Sequence, residues 1–270
     1  MSSPNSADSL VPQKYSDSEV DSSVLKDSNA LKKLPLPSPL SDDSLLVKTL
    51  YLSNDLVQHL WMQNPGDRHS EERQNTLSVQ LEIAFDLFSL SEVTQIGDES
   101  DSIKMDDIVE GCTGWADYYV VMKDKVRVRS KVSGIKLSAF LGSLGLSGAT
   151  AYFALIELLK VKMSDTLIVS GAAAVGNVAV QYAKKILGVK HRRRPRTRLT
   201  NNSLIMSVKQ CWTRIAVIGF SIVDYADRLA EVERALSGAV VEGKLILDGA
   251  ETTGLFSGSN TGKLITKLED

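Results

Sequence analysis

Residues 164–188, SDTLIVSGAAAVGNVAVQYAKKILG, constrain the fold more than any other stretch. Residues 165–170 form a short apolar run rich in β-branched side chains, the pattern of a buried parallel strand. Six residues with only small side chains follow: Gly171, Ala172, Ala173, Ala174, Val175 and Gly176. Asn177 is placed to cap the next helix, its side-chain oxygen accepting from the free N–H groups of the first turn. Val175, Ala179 and Ala183 recur at helical spacing, as do Val178, Tyr182 and Ile186. Gly188 fits the position where a left-handed residue ends the helix. Strand, small-residue turn and helix together open a dinucleotide-binding unit, in which a pyrophosphate rests on the helix N-terminus. The alternative is a plain strand–loop–helix without ligand, because small residues also occur wherever strand and helix pack closely.

Around this unit the chain changes character along its length. Residues 1–33 are rich in Ser, Asp, Asn and Lys with scattered hydrophobes (Leu10, Val11, Val20, Leu25), and read as a flexible N-terminal arm. Leu34-Pro-Leu-Pro-Ser-Pro-Leu40 is an extended connector. Residues 44–53 then read as a strand, apolar on both faces and therefore inside a β structure. Residues 78–87 alternate Val79, Leu81, Ile83, Phe85 and Leu87 against mostly polar neighbours, which predicts a half-buried strand. Shorter pieces at 91–97, 107–111 and 115–122 suit a small barrel or sandwich. Residues 138–160 turn helical, with Gly142, Gly145 and Gly148 permitting close helix approach. An all-β region thus hands over to an α/β region near residue 130.

Composition excludes several classes. Hydrophobic content of 43% and a charged fraction of 24% are those of a soluble globular protein. A formal charge of −2 gives no general argument for nucleic acid or membrane surfaces. No apolar run approaches the ~20 residues that span a bilayer, and the polar start MSSPNSADSL is no signal peptide. The two cysteines, Cys112 and Cys211, suit a reducing compartment, and the expected location is cytoplasmic. His59, His69 and His191 stand apart, neither cysteine has a ligand partner at metal spacing, and no metal site is expected.

Six stretches resemble a known family in the family's own order. They are Leu46-Val-Lys-Thr-Leu-Tyr-Leu-Ser-Asn-Asp55, Gly114-Trp-Ala-Asp-Tyr118, Leu144-Gly-Leu-Ser-Gly-Ala-Thr-Ala-Tyr-Phe153 and Thr166-Leu-Ile-Val-Ser-Gly171, with Val223-Asp-Tyr-Ala-Asp-Arg228 and Gly254-Leu-Phe-Ser-Gly-Ser-Asn-Thr-Gly-Lys-Leu264 near the end. Through them the chain resembles the zinc-independent medium-chain dehydrogenase/reductases, in the branch of NADP-dependent alkenal double-bond reductases and of leukotriene and prostaglandin reductases. The resemblance implies a fold class of α/β plus β, with a GroES-like β domain at 34–130 plus 245–270 and a Rossmann cofactor domain at 131–244. It implies NADP(H) as cofactor and reduction of a C=C bond conjugated to a carbonyl, so that the partner is a small enone or enal. On the same ground Gly171, Ala172, Ala173, Val175 and Gly176 belong to the cofactor's phosphate turn. Asn260 and Gly262 belong to the loop that closes on the nicotinamide end, the alternative being a plain Gly-Ser-Asn turn. Tyr225 is the catalytic candidate, near the nicotinamide and donating to the enolate oxygen; the alternative is a ring covering the domain seam.

Two departures bear on activity. Relatives carry a glycine in the middle of the phosphate turn, where this chain has alanine, and a Cβ there would face the phosphate. After Gly188 the run Val189-Lys-His-Arg-Arg-Arg-Pro-Arg-Thr-Arg198 replaces the expected second strand, because a proline among five arginines cannot form a buried central strand. Its arginines could meet a phosphate of the cofactor or of nucleic acid, but no aromatic is interleaved, which favours a solvated loop and disfavours a nucleic-acid partner. The next predicted strand is residues 214–223. The Rossmann domain is therefore expected to be truncated, leaving the strand at 165–170 partly uncovered and its edge open to a second chain as a homodimer. The alternative to an active reductase is a catalytically defective remnant, or a non-enzymatic interaction module of the same ancestry.

Overall fold

The structure is a computed structural model that describes residues 4–12, 29–54, 86–98, 102–130, 132–169, 174–191, 219–247, 249–250 and 263–268. It divides into two compact units, residues 1–142 with 249–270, and residues 143–248.

The first unit is organised on β3 (Ser44–Ser53), which forms over the residues expected for it. One edge of β3 pairs with β4 (Asp86–Ile96). The other edge is shared by β6 (Tyr118–Met122) along residues 44–48 and by β11 (Lys263–Lys267) along residues 51–53. Two strands on one edge curl the sheet, and its order is β10 (Gly249–Ala250), β11, β3, β4, β5 (Ile108–Gly114) and β7 (Val126–Val128). Leu45, Val47, Val93, Ile103, Val109 and Val121 fill its core, and Leu46 is buried on the opposite face of β3.

Two sequence expectations for this unit change. The arm at 1–33 contains strand: β1 (Ser6–Pro12) pairs antiparallel with β2 (Asn29–Pro35). Ala7, Ser9 and Val11 are buried at alternate positions, a face too small in volume to register as hydrophobic periodicity. Leu10 N–H donates to Trp115 O at 2.7 Å and Asp8 N–H to Asp117 Oδ1 at 2.8 Å, tying β1 to the segment before β6. Residues 86–96 are one strand of 11 residues, where separate pieces at 78–87 and 91–97 were expected; residues 78–85 lie outside the described residues. The interruption in the pattern comes from Ser89 and Ser91, both fully buried. Their hydroxyls lie 3.1 Å apart and Thr113 Oγ1 donates to Ser89 Oγ at 2.7 Å, so polar side chains occupy an interior face by satisfying one another.

The second unit holds α1 (Leu146–Phe153), a π-helical turn at Ala154–Leu158, β8 (Thr166–Leu167), α2 (Ala174–Lys185), β9 (Lys190–His191), a 3-10 helix at Ile222–Arg228 and α3 (Leu229–Val241). Gly148 does allow close helix approach. A Cβ there would lie 1.9 Å from Ser143 O and 2.7 Å from Leu236 Cδ1 of α3. β8 and β9 pair in parallel across α2, Thr166 with Lys190 and Leu167 with His191, giving a short βαβ unit. A second strand therefore exists after Gly188, although only two residues of it are strand. Strand 165–170 is likewise cut to two residues, and it is not buried on both faces: Ile168 is 64% exposed. Among the described residues β8 has β9 as its one strand neighbour, so no sheet extends over Ile168. The predicted strand at 214–223 is also corrected. Residues 219–221 have no regular structure and Ile222 opens the 3-10 helix, while 214–218 lie outside the described residues.

Candidate cofactor site

α2 begins at Ala174, three residues before the expected cap at Asn177. Alanine is the strongest helix former, which favours a helix opening at Ala174. Asn177 is therefore inside the helix and not its cap. Its Oδ1 accepts from Gln181 Nε2 at 3.1 Å, one turn on. The helix buries Val178, Ala179, Tyr182 and Ala183, whereas Val175, on the same face one turn earlier, is 37% exposed. Gly188 has φ +69, the left-handed conformation expected at the helix end.

The helix-initial N–H groups of α2 are those of Ala174, Val175 and Gly176, while Gly171, Ala172 and Ala173 lie outside the described residues. The first turn of α2 carries no acidic residue and its last turn carries Lys184 and Lys185, so no fixed charge opposes an anion at the N-terminus. A helix start without acidic side chains, between parallel strands, fits the pyrophosphate of a dinucleotide. Asn260 and Gly262 lie outside the described residues.

Tyr225 is described, and its surroundings are specific. The ring stacks on Phe153 with centroids 4.3 Å apart and planes at 19°, and Phe220 meets it edge-on at 6.2 Å. Tyr152 contacts Phe153 edge-on at 5.5 Å and Tyr182 of α2 at 5.6 Å. A continuous set of rings thus joins α2 to Tyr225.

Beside these rings lies a charged group that the sequence reading did not single out. Arg228 Nη2 donates to Glu157 Oε1 at 2.7 Å, and its Nε and Nη2 donate to the two oxygens of Glu231 at 3.0 and 3.2 Å. Its guanidinium carbon lies 5.1 Å from the centre of the Phe153 ring. Tyr152 donates its hydroxyl to Glu231 Oε1 at 3.0 Å. Burial, and then the bond to the Glu231 carboxylate, push the Tyr152 phenol up to about 12. Hydrogen bonds from Arg228 and then Tyr152 hold Glu231 below the usual carboxylate range. The spacing of Arg228 and Glu231 was visible as a helical pair, but Glu157 lies 71 residues away and no local pattern points to it.

Among the described residues no three His, Cys, Asp or Glu side chains form a metal-binding group. Among them, too, no helix is long and apolar enough to cross a membrane.

No protein-family model matches the chain. It is 34% identical over 153 residues to YfmJ of Bacillus subtilis, whose name proposes an NADP-dependent oxidoreductase; the match covers 56% of this chain and 41% of that protein. It is 28% identical over 159 residues to the NADP(+)-dependent 2-alkenal reductase of Nicotiana tabacum, covering 58% of this chain and 43% of the reductase. The chain spans about two fifths of the length of these curated relatives. Its fold matches CurA from Vibrio vulnificus in complex with NADPH at a TM-score of 0.73 and 18% identity, over 97% of this chain and 99% of CurA. The chain also shares its fold with the quinone oxidoreductase of Coxiella burnetii, at a TM-score of 0.61 and 18% identity over 98% of this chain and 100% of that one.

Proposed function

We propose that the chain is an NADP(H)-dependent oxidoreductase that reduces the C=C bond of α,β-unsaturated carbonyl compounds, acting on a small enal or enone in the cytoplasm. The observation that carries this reading is the parallel β8–α2–β9 unit, whose helix opens at Ala174 within the small-residue stretch. The similarity to the tobacco 2-alkenal reductase supports the substrate class. In this reading Gly171, Ala172, Ala173, Val175 and Gly176 receive the cofactor's phosphates, and Asn260 and Gly262 close on its nicotinamide end. Bound NADPH would supply a hydride. Tyr225, stacked on Phe153, would hydrogen-bond the substrate's carbonyl oxygen and hold its proton where negative charge develops.

A second reading has its own observation. β8 is two residues long and Ile168 is 64% exposed, as expected of a cofactor domain that has lost sheet neighbours. The chain would then be a defective remnant or an interaction module resting on its seven-stranded sheet. NADPH fluorescence titration, followed by NADPH consumption with a 2-alkenal, separates the two. Binding in the micromolar range or weaker, with enal-dependent turnover, is the expected result. Failure of both at saturating nucleotide sinks the enzyme reading.

A further inference from the structure

We propose that Arg228 is a positioning residue that clamps the Tyr225 turn to the end of α1 and so sets the direction of the Tyr225 phenol. The catalytic part of this rests on the role given to Tyr225 above; the clamp itself does not.

Tyr225 is poorly held by its own backbone. It has φ −119 and ψ 19, which breaks the 3-10 helix around it, so regular local hydrogen bonding does not fix its orientation. Its direction comes from the Phe153 ring, which is fully buried in the second unit. Arg228 follows Tyr225 by three residues, past this kink, and lies over the same Phe153 ring. A shift of Arg228 therefore carries Tyr225 with it.

Arg228 is in turn held from two sides. Glu231 takes it through two hydrogen bonds from α3, and Glu157 takes it from the π-helical turn that follows α1. The π turn adds one residue per turn relative to an α-helix and rotates the side chains after Phe153, which brings Glu157 to the guanidinium. Such turns are rare and occur often at functional sites. Arg228, Glu157 and Glu231 are all partly exposed, so any single pair adds little to stability. Their effect is geometric: without the cation, two carboxylates would face each other beside the ring on which Tyr225 stacks.

The test uses the full chain with R228Q, R228K and E157Q, and reads the Tyr225 ring protons by NMR, assigned by their loss in Y225F. Stacking on Phe153 displaces these resonances upfield in the wild type. In R228Q they are expected to move towards free tyrosine, in E157Q partway, and in R228K to stay near the wild-type position. In the same variants kcat with a 2-alkenal is expected to fall about tenfold for R228Q, with KM for NADPH unchanged and partial recovery in R228K. Should R228Q fail to fold, E157Q and R228K carry the same comparison. Wild-type ring positions in both R228Q and E157Q overturn the clamp, whatever the activity. A wild-type chain that reduces no enal overturns the functional reading, while the ring shifts still decide the clamp.

Discussion

Gln181 and Ile246 are joined by two hydrogen bonds that copy a strand pairing: Gln181 Oε1 accepts from Ile246 N–H at 2.8 Å, and Gln181 Nε2 donates to Ile246 O at 3.2 Å. A side-chain amide on α2 thereby satisfies both backbone groups of a residue that follows α3. Gln181→Ala removes these two bonds and the one to Asn177, and is expected to cost about 1–3 kcal/mol, as a lower urea midpoint at constant m-value. Gln181→Glu should cost more, because its second oxygen would face the Ile246 carbonyl. Equal midpoints for wild type and Q181A would show that water replaces the amide freely.

Gly148 and Gly238 should respond to alanine in opposite directions. At Gly148 a methyl group meets the Ser143 carbonyl and Leu236, and the overpacking is expected to destabilise the chain by roughly 1–3 kcal/mol or more. Gly238 lies within α3 with nothing within 4 Å of its Cβ position, so G238A is expected to stabilise by ~0.5–1 kcal/mol. Thermal melts of the two variants side by side check both signs.

Acid and base limbs of stability should carry separate signatures. Glu231 has a lowered folded pKa, so its contribution is present above the ordinary carboxylate range and lost as pH falls through the depressed value. E231Q should therefore flatten the acid limb of a stability–pH curve. Tyr152 has the reverse sign: raised from 10.0 to about 12, it contributes below pH 10 and loses that contribution as pH rises towards 12. Burial raises Tyr182 as well, so ultraviolet titration of phenolate should show more than one late-ionising tyrosine, with the Tyr152 component lost in Y152F. E231Q should bring it only partway back, because burial is the larger cause.

Ile168 offers a test of the edge of β8 that no strand pairs among the described residues. Because the side chain is 64% exposed, I168K is expected to change stability by no more than ~0.5 kcal/mol while reducing self-association in sedimentation. Association unaffected by the lysine would place any homodimer contact elsewhere.

Legibility followed the range of the interactions involved. β3 could be read to its ends, because Leu45, Leu46 and Val47 put apolar side chains on both faces. β4 could not, since Ser89 and Ser91 are interior only by virtue of Thr113, 24 residues from Ser89. The start of α2 was misplaced because Asn177 has the chemistry of a cap, and Gln181 engages it within the helix instead. Of the candidate site residues, Val175, Gly176 and Tyr225 fall within the described residues, and Gly171, Ala172, Ala173, Asn260 and Gly262 do not.

By itself, then, the sequence determined the class: strands followed by a strand, a small-residue stretch and a helix ended by Gly188. These are local properties, governed by side-chain periodicity, backbone freedom and capping within a few residues. Tertiary structure alone decided how Tyr225 is held. Phe153 lies 72 residues before it, and Arg228 reaches Glu157 across 71 residues, so their meeting depends on how α1 packs against α3. That packing turns on Gly148, whose missing Cβ lets Leu236 approach, and no pattern along the chain states which helix will use the space.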